Sequence, residues 1–377
     1  MVTAVFRNIF RVNLGVRKKE TCLVFTDIPS REEEVGPYEA ERRSRLRCLA
    51  FLASEVGKGF ARDVLYHEYA ATGSHGAEPP AELWEKAFGK RTVAALDRKG
   101  LLARLLGKKA GVADLEQAAS IIGRRKDDAV DAVVALSNFS TSHTRFRDFL
   151  TRICGTRYAS MPLFEVSMVE GPMNVDWKEL SGTTRKIARR MGSAEGVEIS
   201  TPDGTKISFS VKGRKVLADT GILTNPGSFG NLPAGEVFLA PLEGTARGKL
   251  VLRWAPTREL KSPVTLIVRD GLVREVLGDE EFAGQLRKKL AERQENRNIA
   301  ELGIGTNSMA KRPDNILESE KIMGTIHIAL GDNSSFGGKV ETPFHQDFVF
   351  FRPTVVLVGK DRGKTVLMRR GRFQGDL

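Results

Sequence analysis

The chain has 377 residues, of which 41% are hydrophobic and 28% are charged, a composition typical of a globular protein with one large domain or two smaller ones. The net charge is +12, but the basic residues form short clusters separated by mixed sequence, so a nucleic-acid partner is not expected. The three cysteines are far apart and no run is as long and apolar as a membrane span, which excludes a disulfide framework and favours a cytoplasmic protein.

Strand and helix patterns take turns in the first half of the chain. In chain order they predict a strand over 21–28, a helix over 36–57, a strand over 61–69, a helix over 81–88, a strand over 131–139, and a helix that starts after Thr141 or Ser142. Such alternation favours a mainly parallel sheet with helices on its faces. This α/β domain is predicted to span residues 1–195 and to end with a basic helix over 177–192.

The second half has a different pattern, with alternating apolar residues on both sides of turn sequences. Hairpins are predicted over 196–211, 262–278 and 353–371, and one helix over 279–296. The second domain, residues 196–377, is therefore predicted to be β-rich with one or two helices.

The stretch ETPFHQDFVF, residues 341–350, places His345 and Asp347 two positions apart in a predicted strand. Residues at i and i+2 point to the same face, with Cα atoms about 7 Å apart. An imidazole and a carboxylate side by side form either a surface ion pair or part of a metal site.

Three further stretches place a metal-binding side chain among glycine and apolar residues. They contain Glu236, Glu301 and His327, and Asp332 follows shortly after His327. Each alone has an ordinary explanation, such as surface exposure for Glu236 or a hydrogen-bonded core position for His327. Together with His345 and Asp347 they match the ligands of a divalent metal such as Zn, Co, Mn or Fe. No cysteine is among them, which argues against a structural zinc.

The stretches PAGEVFLAP, NIAELGIGTN, GTIHIALGDNSSFGG and HQDF resemble, in order and spacing, the thermophilic metallo-aminopeptidase family of aminopeptidases T and S. The resemblance implies an α/β N-terminal domain, a β-rich C-terminal domain that binds two metal ions, and a homodimer. It implies ligands at Glu236, Glu301, His327, His345 and Asp347. A tyrosine of characterised members falls near Ser334 in this sequence.

The resemblance implies an aminopeptidase-like hydrolase that cleaves a peptide or a small amide with a metal-activated water. Two ions, Zn, Co or Mn, would be bridged by Glu236, and Glu301 would accept the proton of the water.

Two alternatives stay open. A relative of the family is a mononuclear iron dioxygenase that opens dihydroxypyridine, for which His327, His345 and Asp347 would supply two imidazoles and one carboxylate. The other alternative is a protein that keeps a structural metal, has lost catalysis with the tyrosine, and binds a partner.

Overall fold

The computed structural model describes residues 1–375, apart from the side chain of Ile316. The chain divides into two compact units, Met1–Asn174 with Gly221–Pro233, and Val175–Thr220 with Ala234–Leu377. None of the described helices is both long enough and apolar enough to cross a membrane.

Eighteen strands occur in the described residues. They are β1 (Thr21–Ile28), β2 (Asp63–Ala70), β3 (Ala132–Ala135), β4 (Arg157–Ser160), β5 (Gly196–Ser200), β6 (Lys206–Ser210), β7 (Leu217–Asp219), β8 (Phe229–Asn231), β9 (Glu236–Leu239), β10 (Arg247–Ala255), β11 (Arg258–Arg269), β12 (Leu272–Leu277), β13 (Ile299–Gly305), β14 (Ile326–Gly331), β15 (His345–Phe350), β16 (Thr354–Val358), β17 (Lys364–Arg369) and β18 (Arg372–Phe373).

Eleven α-helices accompany the strands in the same part of the chain. They are α1 (Val2–Asn8), α2 (Pro37–Gly57), α3 (Ala81–Phe88), α4 (Lys90–Asp97), α5 (Leu101–Leu106), α6 (Val112–Gly123), α7 (Arg145–Phe149), α8 (Val166–Glu170), α9 (Trp177–Met191), α10 (Glu281–Glu292) and α11 (Ile316–Ser319). Single turns of π- and 3₁₀-helix extend several of them, such as Ile9–Asn13, Leu150–Cys154 and Gln294–Arg297.

The first unit is an α/β domain, which confirms the predicted fold class. Its sheet has the order β2-β1-β3-β4-β8, and all neighbouring strands are parallel. The strand predicted over 131–139 ends at Ala135. Leu136 still donates its backbone N–H to Phe25, but Asn138 and Phe139 do not continue the ladder, because the carboxylate of Asp27 accepts their backbone N–H groups. The helix after it is capped by Thr144, whose hydroxyl accepts the backbone N–H of Arg147, and not by Thr141 or Ser142.

The second unit is the predicted β-rich domain. Its larger sheet has the order β12-β11-β10-β6-β5-β16-β17-β18, its smaller sheet the order β15-β14-β13-β9-β7, and the pairs in both are antiparallel. The predicted hairpin at Asp270-Gly271 is present, and both turn residues have positive φ, as a two-residue hairpin turn requires. One apolar core contains residues from both sheets and from α9 and α10.

The two units are each made of two chain segments, so no single boundary at residue 195 separates them. Helix α9 lies in the second unit because Ile187 and Met191 on its apolar side are part of the core of that unit. The segment Gly221–Pro233 returns to the first unit because β8 pairs with β4 at the edge of the parallel sheet.

Candidate metal centre

The smaller sheet of the second unit has one apolar face and one face with ionisable side chains. Leu302 and Ile304 of β13 and Ile326 and Ile328 of β14 point into the apolar core. Since side chains alternate along a strand, the residues between them point to the opposite face. That face carries all five residues predicted to bind metal, which are Glu236 on β9, Glu301 on β13, His327 on β14, and His345 and Asp347 on β15.

The five side chains form two groups of three donors that share Glu301. His327 Nε2 lies 3.3 Å from Glu301 Oε1 and 3.4 Å from Glu236 Oε2. His345 Nε2 lies 3.5 Å from Glu301 Oε2 and 3.4 Å from Asp347 Oδ2. Within each group the donor atoms are all within 4.8 Å of one another. The pair at the start of β15 is therefore not an isolated surface pair.

Small residues face each donor across the strands. Gly303 is directly opposite His327, Gly305 is opposite Glu236, and Gly331 is opposite His345. A Cβ added at Gly303 would lie 1.9 Å from the imidazole of His327. The ring thus occupies the space that any other residue at position 303 would fill, which explains a glycine inside a buried strand.

The electrostatics of the centre favour bound positive charge. Burial opposes the charge of His327, but the hydrogen bond to Glu301 and the charge of Glu236 outweigh it and raise the pKa of His327 to about 9. Burial also opposes the charge of His345, but the charge of the adjacent Asp347 outweighs it and raises the pKa of His345 to about 10. Despite burial, the adjacent His345 holds the pKa of Asp347 well below its usual range, whereas burial raises the pKa of Glu301. In the metal-free protein, protons on the imidazoles supply the cationic charge.

Lys321 and Glu320 belong to the same cluster, although no sequence pattern predicted either of them. The Nζ atom of Lys321, whose side chain is 1% exposed, lies 2.7 Å from Glu236 Oε1 and 2.8 Å from Glu320 Oε2. Burial opposes the charge of Lys321, but the two carboxylates hold its pKa well above the usual range. Burial raises the pKa of Glu320 to about 7. The only sequence signal is a charged pair a few residues before the apolar strand β14, a pattern that solvent exposure also explains.

A further residue orients one imidazole. His345 Nδ1 donates to the backbone carbonyl of Asp332 at 2.8 Å, so its Nε2 is directed at Glu301 and Asp347. A second hydrogen bond of this kind is usual for a metal-binding histidine. The carboxylate of Asp332 instead accepts the backbone N–H and the hydroxyl of Ser334. Ser334 is exposed in a short 3₁₀ turn, so it does not replace the tyrosine with a donor inside the cluster.

The donors fit a divalent metal. Among the described residues, Glu236 Oε2 and Asp347 Oδ1 are buried oxygen atoms with no hydrogen-bond partner. Buried carboxylate oxygens without partners are costly, and a bound cation would remove that cost. Imidazole and carboxylate donors together suit Zn, Fe, Mn or Co.

Comparisons with known proteins show which family the chain matches. A model of the family described as "NicX: 2,5-dihydroxypyridine 5,6-dioxygenase" matches residues 173–374, just over half of the chain. The fold is similar to that of 2,5-dihydroxypyridine dioxygenase from Pseudomonas putida KT2440, with a TM-score of 0.69 and 18% identity over 100% of this chain and 97% of that chain. It is also similar to AmpT from Thermus thermophilus, with a TM-score of 0.58 and 17% identity over 99% of both chains. No curated protein sequence matches the chain.

The similarity to AmpT confirms that the resemblance to aminopeptidases reflects a related fold. The prediction of an aminopeptidase-like hydrolase or protease is wrong, because the matching family model and a structural neighbour of higher TM-score are both dioxygenases. Imidazole and carboxylate donors suit the metals of both chemistries, so the donor residues alone did not distinguish them. The protein is a metal-dependent enzyme, and the match over 173–374 places the chain in the NicX family of 2,5-dihydroxypyridine 5,6-dioxygenases.

Proposed function

We propose that the protein is a dioxygenase that uses one Fe(II) ion to open a hydroxylated pyridine ring of the 2,5-dihydroxypyridine type. The observation that carries the proposal is the extent of the family match, because residues 173–374 include all five donors of the metal centre. In the proposed reaction the bond between C5 and C6 of the ring breaks, and both atoms of one dioxygen molecule enter the open-chain product.

The charges of the cluster support a single ion. Glu236, Glu301 and Asp347 carry three negative charges when ionised, and the ammonium of Lys321 neutralises one of them through Glu236. One divalent ion balances the remaining two, those of Glu301 and Asp347, and Glu320 is paired with the same Lys321. A second ion beside Glu236 would lie close to a buried ammonium, and buried like charges repel strongly.

We propose that His327, His345 and Asp347 hold the ion, with Glu301 between the two imidazoles. Two histidines and one carboxylate are the usual protein ligands of non-haem Fe(II) oxygenases. When bound, iron supplies the redox chemistry by which dioxygen reacts with an aromatic ring. The chain's own part is orientation: Asp332 fixes the ring of His345, and Lys321 holds Glu236.

Oxygen consumption tests the proposal. The protein is loaded with Fe(II) without air, freed of excess metal and mixed with 2,5-dihydroxypyridine and labelled dioxygen. We expect one iron per chain, one dioxygen consumed per ring opened, and both labelled atoms in the product. His345→Gln should lose iron and oxygen uptake, and Glu275→Gln, which changes an exposed glutamate on β12, should keep both. An iron-loaded protein that takes up no oxygen with this ring would contradict the proposal.

A further inference from the structure

A small pocket opens beside the metal centre, entirely within the second unit. Its volume is about 250 Å³ and its lining includes His345 and Asp347. Its apolar walls are formed by Trp254, Pro256, Pro313, Phe344 and Val349. A cavity of about 150 Å³ is enough for benzene, so this pocket has room for one substituted six-membered ring between flat walls.

Glu320 is the charged side chain among the described lining residues that is not needed to hold a metal. Its Oε2 accepts a hydrogen bond from Lys321 at 2.8 Å, and Lys321 is itself held by Glu236. The Glu320 side chain is 18% exposed, and among the described residues its Oε1 has no protein partner. The carboxylate is therefore fixed through one oxygen and can accept a hydrogen bond from a ligand through the other.

The charge of the lining limits the ligands it can accept. Glu320 and Asp347 are acidic, and among the described lining residues none is lysine or arginine. The ammonium of Lys321 is already shared by two carboxylates. A ring that carries a carboxylate, phosphate or sulfonate would place its charge near Glu320 with no lysine or arginine among the described lining residues to balance it, and like charges that meet in an interface are strongly unfavourable.

We propose that Glu320 is a specificity-determining residue that selects single-ring hydroxylated N-heteroaromatic substrates without an acidic substituent. This inference rests on the proposed function, since it concerns the substrate of the same metal centre. Glu320 accepts a hydrogen bond from a ring N–H or hydroxyl group of the substrate, and its charge excludes acidic rings. Trp254 and the two prolines contact the faces of the ring.

Ligand binding without turnover tests the inference separately from catalysis. The protein is loaded with Zn(II), which has no redox chemistry, and titrated by calorimetry with 2,5-dihydroxypyridine and with the same ring bearing one carboxylate. The wild type should bind the uncharged ring at least about tenfold more tightly. Glu320→Gln keeps the shape but removes the charge, so it should weaken binding of the uncharged ring about tenfold and should reduce or abolish the discrimination. Glu259→Gln, an exposed glutamate paired with Trp254 across the strands, is the matched control and should behave as the wild type.

Four results would overturn the inference: neither ring binds, both rings bind the wild type equally, Glu320→Gln keeps full selectivity, or Glu320→Gln loses its zinc. The last would mean that Glu320 acts on the metal centre through Lys321. Selective ring binding by a protein whose iron-loaded form consumes no oxygen would instead refute the proposed function and leave the role of Glu320 supported.

Discussion

Lys321 is a fully buried cation whose three neighbours explain its position. Its ammonium contacts Glu236 and Glu320, and its backbone carbonyl accepts the N–H of Asn307. A buried ion pair adds little to stability compared with apolar residues of the same size, but the loss of one partner leaves the other charge buried and unpaired. The residue is therefore better explained by the charge balance of the metal centre than by stability.

The substitution Lys321→Met should destabilise the metal-free protein by about 3–5 kcal/mol, because it leaves Glu236 without its cation. Urea unfolding measures the change in the free energy of unfolding. The double variant Lys321→Met with Glu236→Gln should recover part of the loss, since the charge that needed a partner is removed as well. Equal losses in the single and double variants would contradict the role of Lys321 as partner of Glu236.

Metal binding should become tighter as the pH rises. In the metal-free protein the pKa of His327 is about 9 and that of His345 about 10, so both carry a proton at neutral pH. An ion displaces both protons, and the apparent affinity should increase roughly hundredfold per pH unit between about pH 6.5 and 8.5. Competition with a coloured chelator measures this slope. His345→Gln should bind zinc more weakly and displace one proton fewer, so at higher zinc concentration its slope should be about tenfold, and an unchanged slope would contradict the assignment.

At the scale of elements, the register of β13 and β14 determines the shape of the centre. Gly303 lies opposite His327, so the imidazole packs directly over the backbone of β13. The residues on either side of Gly303, Leu302 and Ile304, point to the apolar core on the other face. A shift of one residue in this register would exchange the two faces, so the core and the metal centre stabilise the same pairing.

The substitution Gly303→Ala should displace His327, because a Cβ there would lie 1.9 Å from the ring. We expect a loss of metal affinity of at least about 10–100-fold, as for other changes that move a metal ligand. Gly284→Ala in α10 is the control, since nothing lies within 4 Å of its added Cβ, and it should stabilise the helix by about 0.5–1 kcal/mol. Calorimetric zinc titration of both variants gives the comparison, and equal affinities would show that His327 is not a ligand.

At the scale of the whole molecule, all donors lie in the second unit, on four neighbouring strands of one sheet. Zinc binding should therefore slow amide hydrogen exchange mainly in β9, β13, β14 and β15, because an ion that bridges strands opposes their local opening. Mass spectrometry with and without zinc measures the change, and the β1–β4 sheet serves as the internal control. Protection of equal size in both sheets would contradict this localisation.

The homodimer implied by the resemblance stays a prediction, for which light scattering over a range of concentrations is the test.

Local sequence patterns determined much of the architecture. Alternating strands and helices predicted the α/β unit, and Asp-Gly turns predicted hairpins in the β-rich unit. The five donors could be predicted because a charged or imidazole side chain within an apolar strand needs a partner, and strand alternation is a local property of the backbone. The sharing of Glu301 between the two donor groups was not predictable, because it depends on the register of strands that are distant in sequence.

Tertiary structure alone decided the remaining features. Lys321 contacts Glu236 across 85 positions of the chain, and no local pattern distinguishes it from an exposed lysine. Helix α9 belongs to the second unit and β8 to the first, which the order of elements along the chain did not indicate. Side-chain packing and strand pairing, which act between distant segments, decided both assignments. The reaction was the hardest to predict, because the same carboxylates and imidazoles suit either hydrolysis or oxygen chemistry, and the match to the family model separated them.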